Sequence, residues 1–439
     1  TIKKLPQTHS LKIFKYEGSD NYYCSFYVGQ VHTRNGNKEQ SLNKLDTIYS
    51  STSNSQKSAI KIIRISGENC QEIPEIFSFK ATRPRVATLR KIYDSNKNII
   101  DNAIVIFFPG PSSVTGEDIF EIHIHGSLII EKKIYDCLEK RKKFRIAERG
   151  EFTKRAFLNG IIDLTQAEGI NDLINAETEN QFKLSISQYE GALYDKLNFW
   201  RNDIIILLSK LEALIDFSDE ELPLEIEDMF KKKLLLLLNE MKNSIKSSNY
   251  GERIRSGFVV TIIGKPNVGK SSLINYLSNK KVAIVTDEAG TTRDVLEVFL
   301  DFDGFPVILN DTAGLRKTDS NVEKIGIKRA LKKAELSDLV LVLSDDGDYS
   351  FSKLNSSVKQ ILIHTKSDLR KKSHENAHEI SVKSHDGIKE LIKIIVNHLQ
   401  TLAPKENILL NRKRHVQGVK KAVCALKRVS CIDLDLNPE

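Results

Sequence analysis

Nine consecutive residues, Gly264-Lys265-Pro266-Asn267-Val268-Gly269-Lys270-Ser271-Ser272, have the types and spacing to hold a phosphate. They fit Gly-x4-Gly-Lys-Ser, in which a glycine-bounded loop turns successive backbone N–H groups toward an anion at a helix start. Lys270 would reach the β- and γ-phosphates, the Ser271 hydroxyl would ligate Mg²⁺, and Val268, Gly269 and Ser272 would complete the cradle. An apolar, β-branched run at 258–263 precedes the loop, and Leu273-Ile274-Asn275-Tyr276-Leu277 follows it. That context predicts strand, loop and helix, which this chemistry requires.

Further motifs follow in an order that makes sense only for a guanine nucleotide. Asp311-Thr312-Ala313-Gly314 closes a strand at 306–310. An aspartate there can hold Mg²⁺ through water, and the glycine amide can sense the γ-phosphate. A strand at 360–364 runs into Thr365-Lys366-Ser367-Asp368. The Asp368 carboxylate would accept from guanine N1–H and its 2-amino group, donors that adenine does not present in that geometry. Ser381-Val382-Lys383 suits the last loop against the base. Between the first and second motifs, Thr286-Asp287-Glu288-Ala289-Gly290-Thr291-Thr292-Arg293-Asp294 is the natural switch loop, with Thr292 as a Mg²⁺ ligand. The pattern predicts a GTPase.

Two departures from Ras-type switches carry information. Leu315 follows Asp-x-x-Gly where those proteins place a water-orienting glutamine. Asn267 stands where a finger arginine could sit, and its side-chain oxygen could instead ligate a monovalent cation beside the phosphates.

The chain has 439 residues, enough for two to four domains, and its hydrophobic share of 40% and charged share of 28% are those of an ordinary soluble protein. A net charge of +8 favours a polyanionic partner without proving one. The 5 cysteines make no CxxC pair or metal-ligand spacing, which points to reduced thiols and a cytoplasmic protein. Apolar runs at 204–208 and 234–238 are too short to span a bilayer, so no membrane insertion is expected. The sequence opens on Thr, without a signal-peptide pattern, and reads as a possible fragment.

Residues 1–45 are polar and read as a small basic hairpin or a disordered tail, with no evident chemistry. Residues 46–159 predict an α+β domain. In it Ile119, Glu121, His123 and His125 share one strand face, and Phe120, Ile122 and Ile124 the other. Residues 160–253 carry apolar positions at i+3 and i+4, from Ile170 through Trp200 to Leu214, and predict long bundle helices. The GTPase domain is placed at 254–403. Residues 404–439 return to helix, with Val416, Val419, Val423 and Leu426 as its stripe. The fold class is therefore multidomain: an α+β domain, an α-helical domain, and an α/β P-loop (Ras-like) GTPase domain inserted into the latter.

The Asn-bearing loop, Thr-Asp-x-Ala-Gly-Thr-Thr-Arg-Asp and Asp-Thr-Ala-Gly-Leu-Arg together resemble the MnmE (TrmE) family of tRNA modification GTPases. So do Arg-Ile-Ser-Gly at 64–67, Phe-Pro-Gly-Pro-Ser-Ser-Val-Thr-Gly-Glu-Asp at 108–118 and Gly-Glu-Phe-Thr-Lys-Arg-Ala-Phe-Leu-Asn-Gly at 150–160. The resemblance runs from Asp46 to the end. It implies a K⁺-stimulated GTPase that dimerises through its N-terminal domain. Acting with the flavoprotein MnmG, it would install a 5-(carboxymethyl)aminomethyl group on the tRNA wobble uridine. The one-carbon donor would be 5-formyltetrahydrofolate or a related folate.

Carried over by position, the resemblance assigns K⁺ to Asn267, Thr286, Glu288 and Thr291, and Mg²⁺ to Ser271 and Thr292. Glu323 matches the family's catalytic glutamate, which orients water. Arg64 and Glu121 match folate ligands, while the third folate position, a family lysine, is Ile161. Thr365 stands where the family usually has asparagine. The family's terminal Cys-x-Gly-Lys is missing, so the chain reads as truncated, and residues 1–45 have no family counterpart. Two other readings stay open: a GTP-driven switch of the ribosome-assembly kind, and a GTPase-competent product unable to complete modification. A cluster at Lys140, Arg141, Lys142, Lys143 and Arg145 could contact tRNA, as could Lys413, Lys420 and Lys427 beside Arg414, Lys421 and Arg428. Such a stripe suits phosphates, but it is more often simply a solvated helix face.

Overall fold

The computed structural model describes residues 46–51, 57–216, 224–279, 297–311, 332–349, 358–369, 377–404 and 407–430. Backbone contacts divide the chain into two compact units, with the boundary between Glu168 and Gly169.

The first unit is a six-stranded sheet in the order β3-β4-β5-β2-β1-β6. Its strands are β1 (Thr47–Ser51), β2 (Ile60–Ser66), β3 (Thr88–Tyr93), β4 (Ile99–Phe108), β5 (Ile119–His125) and β6 (Phe144–Ile146). Pairing is antiparallel except between β1 and β6. Ile63, Ile65, Val105, Phe120 and Ile122 pack on one face with Ile134 and Leu138 of helix α2 (Leu128–Glu139). Lys61 belongs to that face too. Its side chain is 0% exposed and lies 2.7 Å from Glu131 on α2, so a buried ammonium is neutralised where it enters the core.

The other face is polar near its centre. Helix α3 (Glu151–Leu158) lies within the motif at 150–160 and contributes a buried ionic network. Arg145 grips the Glu151 carboxylate from both ends, at 2.8 and 2.6 Å, and the Glu148 N–H donates to it at 2.8 Å. Arg155 bridges Glu151 to Glu117, at 3.3 and 2.9 Å. Burial alone would raise the Glu151 carboxyl, but the bonds from Arg145, Glu148 and Arg155 outweigh it and hold it at about 2.

The second unit joins helices to an α/β sheet. Helix α4 (Leu164–Ile174) spans the boundary, and α5 (Glu179–Tyr189), α6 (Ala192–Asp216) and α7 (Leu224–Ser256) lead to β7 (Phe258–Gly264). A capping box starts α5, with Thr178 and Gln181 satisfying each other's backbone N–H groups. Trp200, Leu207, Leu234, Leu238 and Met241 form one core with Val419, Ala422 and Val423 of the last described helix, Lys413–Ser430. Segments on both sides of the sheet domain thus share a single helical core. Helix α7 continues to Ser256, only Gly257 separates it from β7, and its Tyr250 and Ile254 pack into the core of the second sheet.

The second sheet runs β12-β11-β10-β7-β9-β8. Its later strands are β8 (Glu297–Phe302), β9 (Phe305–Asp311), β10 (Leu339–Ser344), β11 (Gln360–His364) and β12 (His378–Glu379). Strands β9, β7, β10, β11 and β12 are parallel, and β8 is an antiparallel edge. β10 reads Leu-Val-Leu-Val-Leu-Ser and is buried throughout, as expected of a strand covered on both faces.

Candidate nucleotide site

In an open parallel sheet, ligands bind at the carboxyl ends of the strands. Three of the loops singled out by sequence leave β7 and β11 or follow β12 at that edge. The first joins β7 to helix α8 (Lys270–Asn279). Gly264 has φ +153, and a Cβ there would lie 2.3 Å from the Leu343 carbonyl oxygen of β10. Only glycine permits that approach. Asn267 is exposed with φ 64, a left-handed conformation that asparagine tolerates better than most residues. Its presence thus has a backbone reason alongside any role as a cation ligand. The Lys270 ammonium is buried within the loop, donating to the carbonyls of Gly264 at 2.9 Å and Lys265 at 2.6 Å. Helix α8 begins as the Leu273 N–H bonds the Gly269 carbonyl at 2.9 Å.

The loop after β11 reaches the first loop directly. The Thr365 hydroxyl donates to the Val268 carbonyl at 2.7 Å and lies 3.3 Å from the Ser344 carbonyl. Thr365 is 3% exposed, so this tie operates without competition from water. The Asp368 carboxylate accepts from the Ser381 hydroxyl at 2.7 Å, and the Ser367 N–H bonds Ile380 O at 3.2 Å. The two base-side motifs, at 365–368 and 381–383, are thereby held edge to edge.

One element was missed by sequence reasoning. Ser344-Asp345-Asp346-Gly347-Asp348 follows β10 and grips both flanking motifs. Lys265 lies 2.7 Å from Asp346 and 2.8 Å from Asp348, and Lys366 lies 2.7 Å from Asp345. The bond from Lys265, then those from the Asp348 N–H and the Ser344 hydroxyl, hold Asp346 well below the ordinary carboxylate range. Lys265 is correspondingly raised, first by Asp346 and then by Asp348. A run of acidic residues with a glycine, directly after a fully apolar strand, was the available signal.

Asp311 ends β9 beside Ile262 of β7, next to the loop at 264–269. Thr286, Asp287, Glu288, Ala289, Gly290, Thr291, Thr292, Thr312, Ala313, Gly314 and Glu323 lie outside the described residues. The residues present fit a Mg²⁺-nucleotide: a buried lysine, a serine at the helix start, and a loop whose backbone wraps that start.

In the first unit, Arg64 and Glu121 sit opposite one another on β2 and β5. The Arg64 guanidinium donates to Glu121 Oε1, at 2.9 Å from Nε and 2.7 Å from Nη2. Phe152 of α3 lies under the guanidinium, 5.8 Å from ring centroid to Cζ, and His123 approaches the free carboxylate oxygen at 3.4 Å. Neither Phe152 nor His123 was singled out as a ligand by sequence, although the shared strand face already implied His123. Ile161 packs against Gly116, whose Cβ position lies 3.0 Å from the Ile161 side chain.

The sheet order, the glycine-bounded loop and the facing base motif define a P-loop GTP-binding protein of the GTP hydrolase class. Residues 47–161 match the family model "GTP-binding protein TrmE N-terminus", and residues 164–436 match "MnmE helical domain". The chain is 39% identical over 388 residues to a tRNA modification GTPase MnmE of Brucella anthropi, covering 87% of this chain and 88% of that one. It is 42% identical over 397 residues to its counterpart in Pelagibacter ubique, covering 87% and 89%. The chain belongs to the tRNA modification GTPase MnmE family. The G domain of the T. maritima FeoB iron transporter is also similar, at 27% identity over 32% of this chain and 98% of that one, with a TM-score of 0.26. Among the described residues no helix is long and apolar enough to cross a membrane.

Proposed function

We propose that this chain hydrolyses GTP to drive modification of the wobble uridine of tRNA, acting as a homodimer with the flavoprotein MnmG. The observation that supports the reading most is the meeting of Thr365 with Val268 and of Asp368 with Ser381. These contacts bring the loop at 264–269 and the Asp368 carboxylate to one sheet edge, which supports reading them as a phosphate loop and a guanine-selective carboxylate.

In this reading Lys270 and the backbone at 267–272 bind the phosphates. Ser271 and Thr292 hold Mg²⁺, which neutralises charge on the β- and γ-phosphates. Asn267, with Thr286, Glu288 and Thr291, holds K⁺. Asp368, Ser381, Val382 and Lys383 select guanine, and Glu323 orients the attacking water in place of the glutamine absent at Leu315. Arg64 and Glu121 receive a folate on the half-buried polar face of the first sheet. There a carboxylate suits the donor edge of a pterin, and Phe152 offers a ring beside it. Ile161 supplies no cation, so folate binding rests on the Arg64–Glu121 pair. The domains follow as 46–159, 160–253 with 404–439, and 254–403, with 1–45 unassigned.

GTP turnover in K⁺ against Na⁺ at matched ionic strength tests the reading. A large K⁺ preference, lost with Glu323→Ala while nucleotide still binds, is the expected result. Equal slow rates in both salts, with RNA pulldown favouring rRNA over tRNA, would instead select a ribosome-assembly-type switch.

A further inference from the structure

The helix Lys413–Ser430 carries six cations, Lys413, Arg414, Lys420, Lys421, Lys427 and Arg428, and no aspartate or glutamate. All six are exposed, while His415, Val419, Ala422 and Val423 are buried against the helical core. The cations therefore form two rows along the solvent face, recurring every seven residues. At a rise of about 1.5 Å per residue, successive cations in a row stand roughly 10 Å apart and each row spans about 21 Å. Lys413 meets Glu252 of α7 at 3.8 Å, the outer limit of an ion pair, and stays 82% exposed. A helix with no acid of its own makes no i,i+4 ion pair along its length. Self-pairing does not account for the pattern.

A second feature of the same face is independent of charge. Gly418 sits between Arg414 and Lys421, and a Cβ added there meets nothing within 4 Å. Packing therefore does not demand glycine. Glycine is also a poorer helix former than alanine, so helix propensity does not demand it either. What it leaves is a gap in the side-chain layer, flanked by cations, into which a sugar-phosphate backbone can approach the helix closely.

We propose that this face is the docking surface for the tRNA backbone, with the two rows of cations contacting phosphates on either side of the gap at Gly418. The proposal rests on the tRNA reading above. It assigns the surface that holds the RNA and leaves base recognition to other elements, since phosphate contacts position a nucleic acid without reading its sequence.

The test uses the full chain and an unmodified tRNA transcript, with binding followed by fluorescence anisotropy from about 50 to about 200 mM salt. Changing Lys420, Lys421, Lys427 and Arg428 together to Gln should weaken binding at least ten-fold and flatten the logarithmic salt slope by about 3, at roughly 0.7–0.9 per lost phosphate contact. Basal GTP turnover and the circular-dichroism melt should stay unchanged. Gly418→Leu should weaken binding several-fold with no change of slope, while Gly418→Ala should bind nearly as the parent does. Unchanged affinity and slope in the quadruple variant overturn the proposal. So does retained tRNA binding with lost MnmG binding, which would give the face to an acidic protein. If the parent chain itself fails to bind tRNA, the functional reading falls as well, so the two failures are distinguishable.

Discussion

The Thr365 hydroxyl donates to the Val268 carbonyl at 2.7 Å and closes the gap between the guanine-side loop and the phosphate loop. Where the family resemblance leads one to expect asparagine, the threonine side chain makes this tie from a buried position. Thr365→Val keeps the shape, removes the donor and strands a buried carbonyl, which costs about 1–2 kcal/mol. We expect roughly five- to thirty-fold weaker binding of a fluorescent GDP analogue. Thr365→Asn should stay within about two- to three-fold of the parent, since an amide can make the same bond.

Asp368 is held by the Ser381 hydroxyl at 2.7 Å, which leaves its second oxygen available for a base. In Asp368→Asn the added amide donors face guanine donors, and the stranded groups should weaken GTP binding about 100-fold or more. Xanthosine triphosphate, with an acceptor at that edge, should recover much of the affinity. Competition between the two nucleotides gives the answer in one titration.

Gly264 is fixed by its neighbour on β10. Any side chain there collides with the Leu343 carbonyl at 2.3 Å and must also adopt a φ of +153. Gly264→Ala should therefore cost at least about 2–3 kcal/mol and abolish nucleotide binding. By contrast, Gly269→Ala meets no atom within 4 Å, so only its left-handed φ of +100 opposes it. It should melt closer to the parent. Thermal unfolding with and without GDP separates the two variants.

Glu151 makes the first unit acid-sensitive. Its folded carboxyl is held at about 2 against an ordinary 4.5, so its stabilisation is complete above the unfolded value. That stabilisation, on the order of 3 kcal/mol, is lost as pH falls from about 4.5 toward 2. Glu151→Gln should destabilise at neutral pH by roughly 3–5 kcal/mol, because Arg145 and Arg155 lose a buried partner, and should flatten the loss below pH about 4.5. Denaturant melts across that pH range check both parts.

Much of the nucleotide site was legible because its chemistry is local in sequence. Gly264 to Ser272 is one strand-loop-helix unit, and its glycines and its lysine can be read without knowing what lies beside them. The same holds for the alternation of β5, which put Glu121 and His123 on one face. The helical stripe from Trp200 to Leu214, and the one from Val416 to Leu426, gave their elements by period alone.

Tertiary structure decided what depends on residues far apart in the chain. Thr365 reaches Val268 only because β11 and β7 both flank β10, and Lys265 meets Asp346 because β10 lies beside β7. Strand order is a property of the assembled sheet, set by long-range packing, and no local pattern encodes it. The Arg64–Glu121 pair depends likewise on the register between β2 and β5, where a one-residue slip would send one of the two to the other face. By itself the sequence determined the kinds of chemistry present and the elements that carry them. Folding determined which of those groups touch, because contact energies act between surfaces that come together only when the whole sheet has closed.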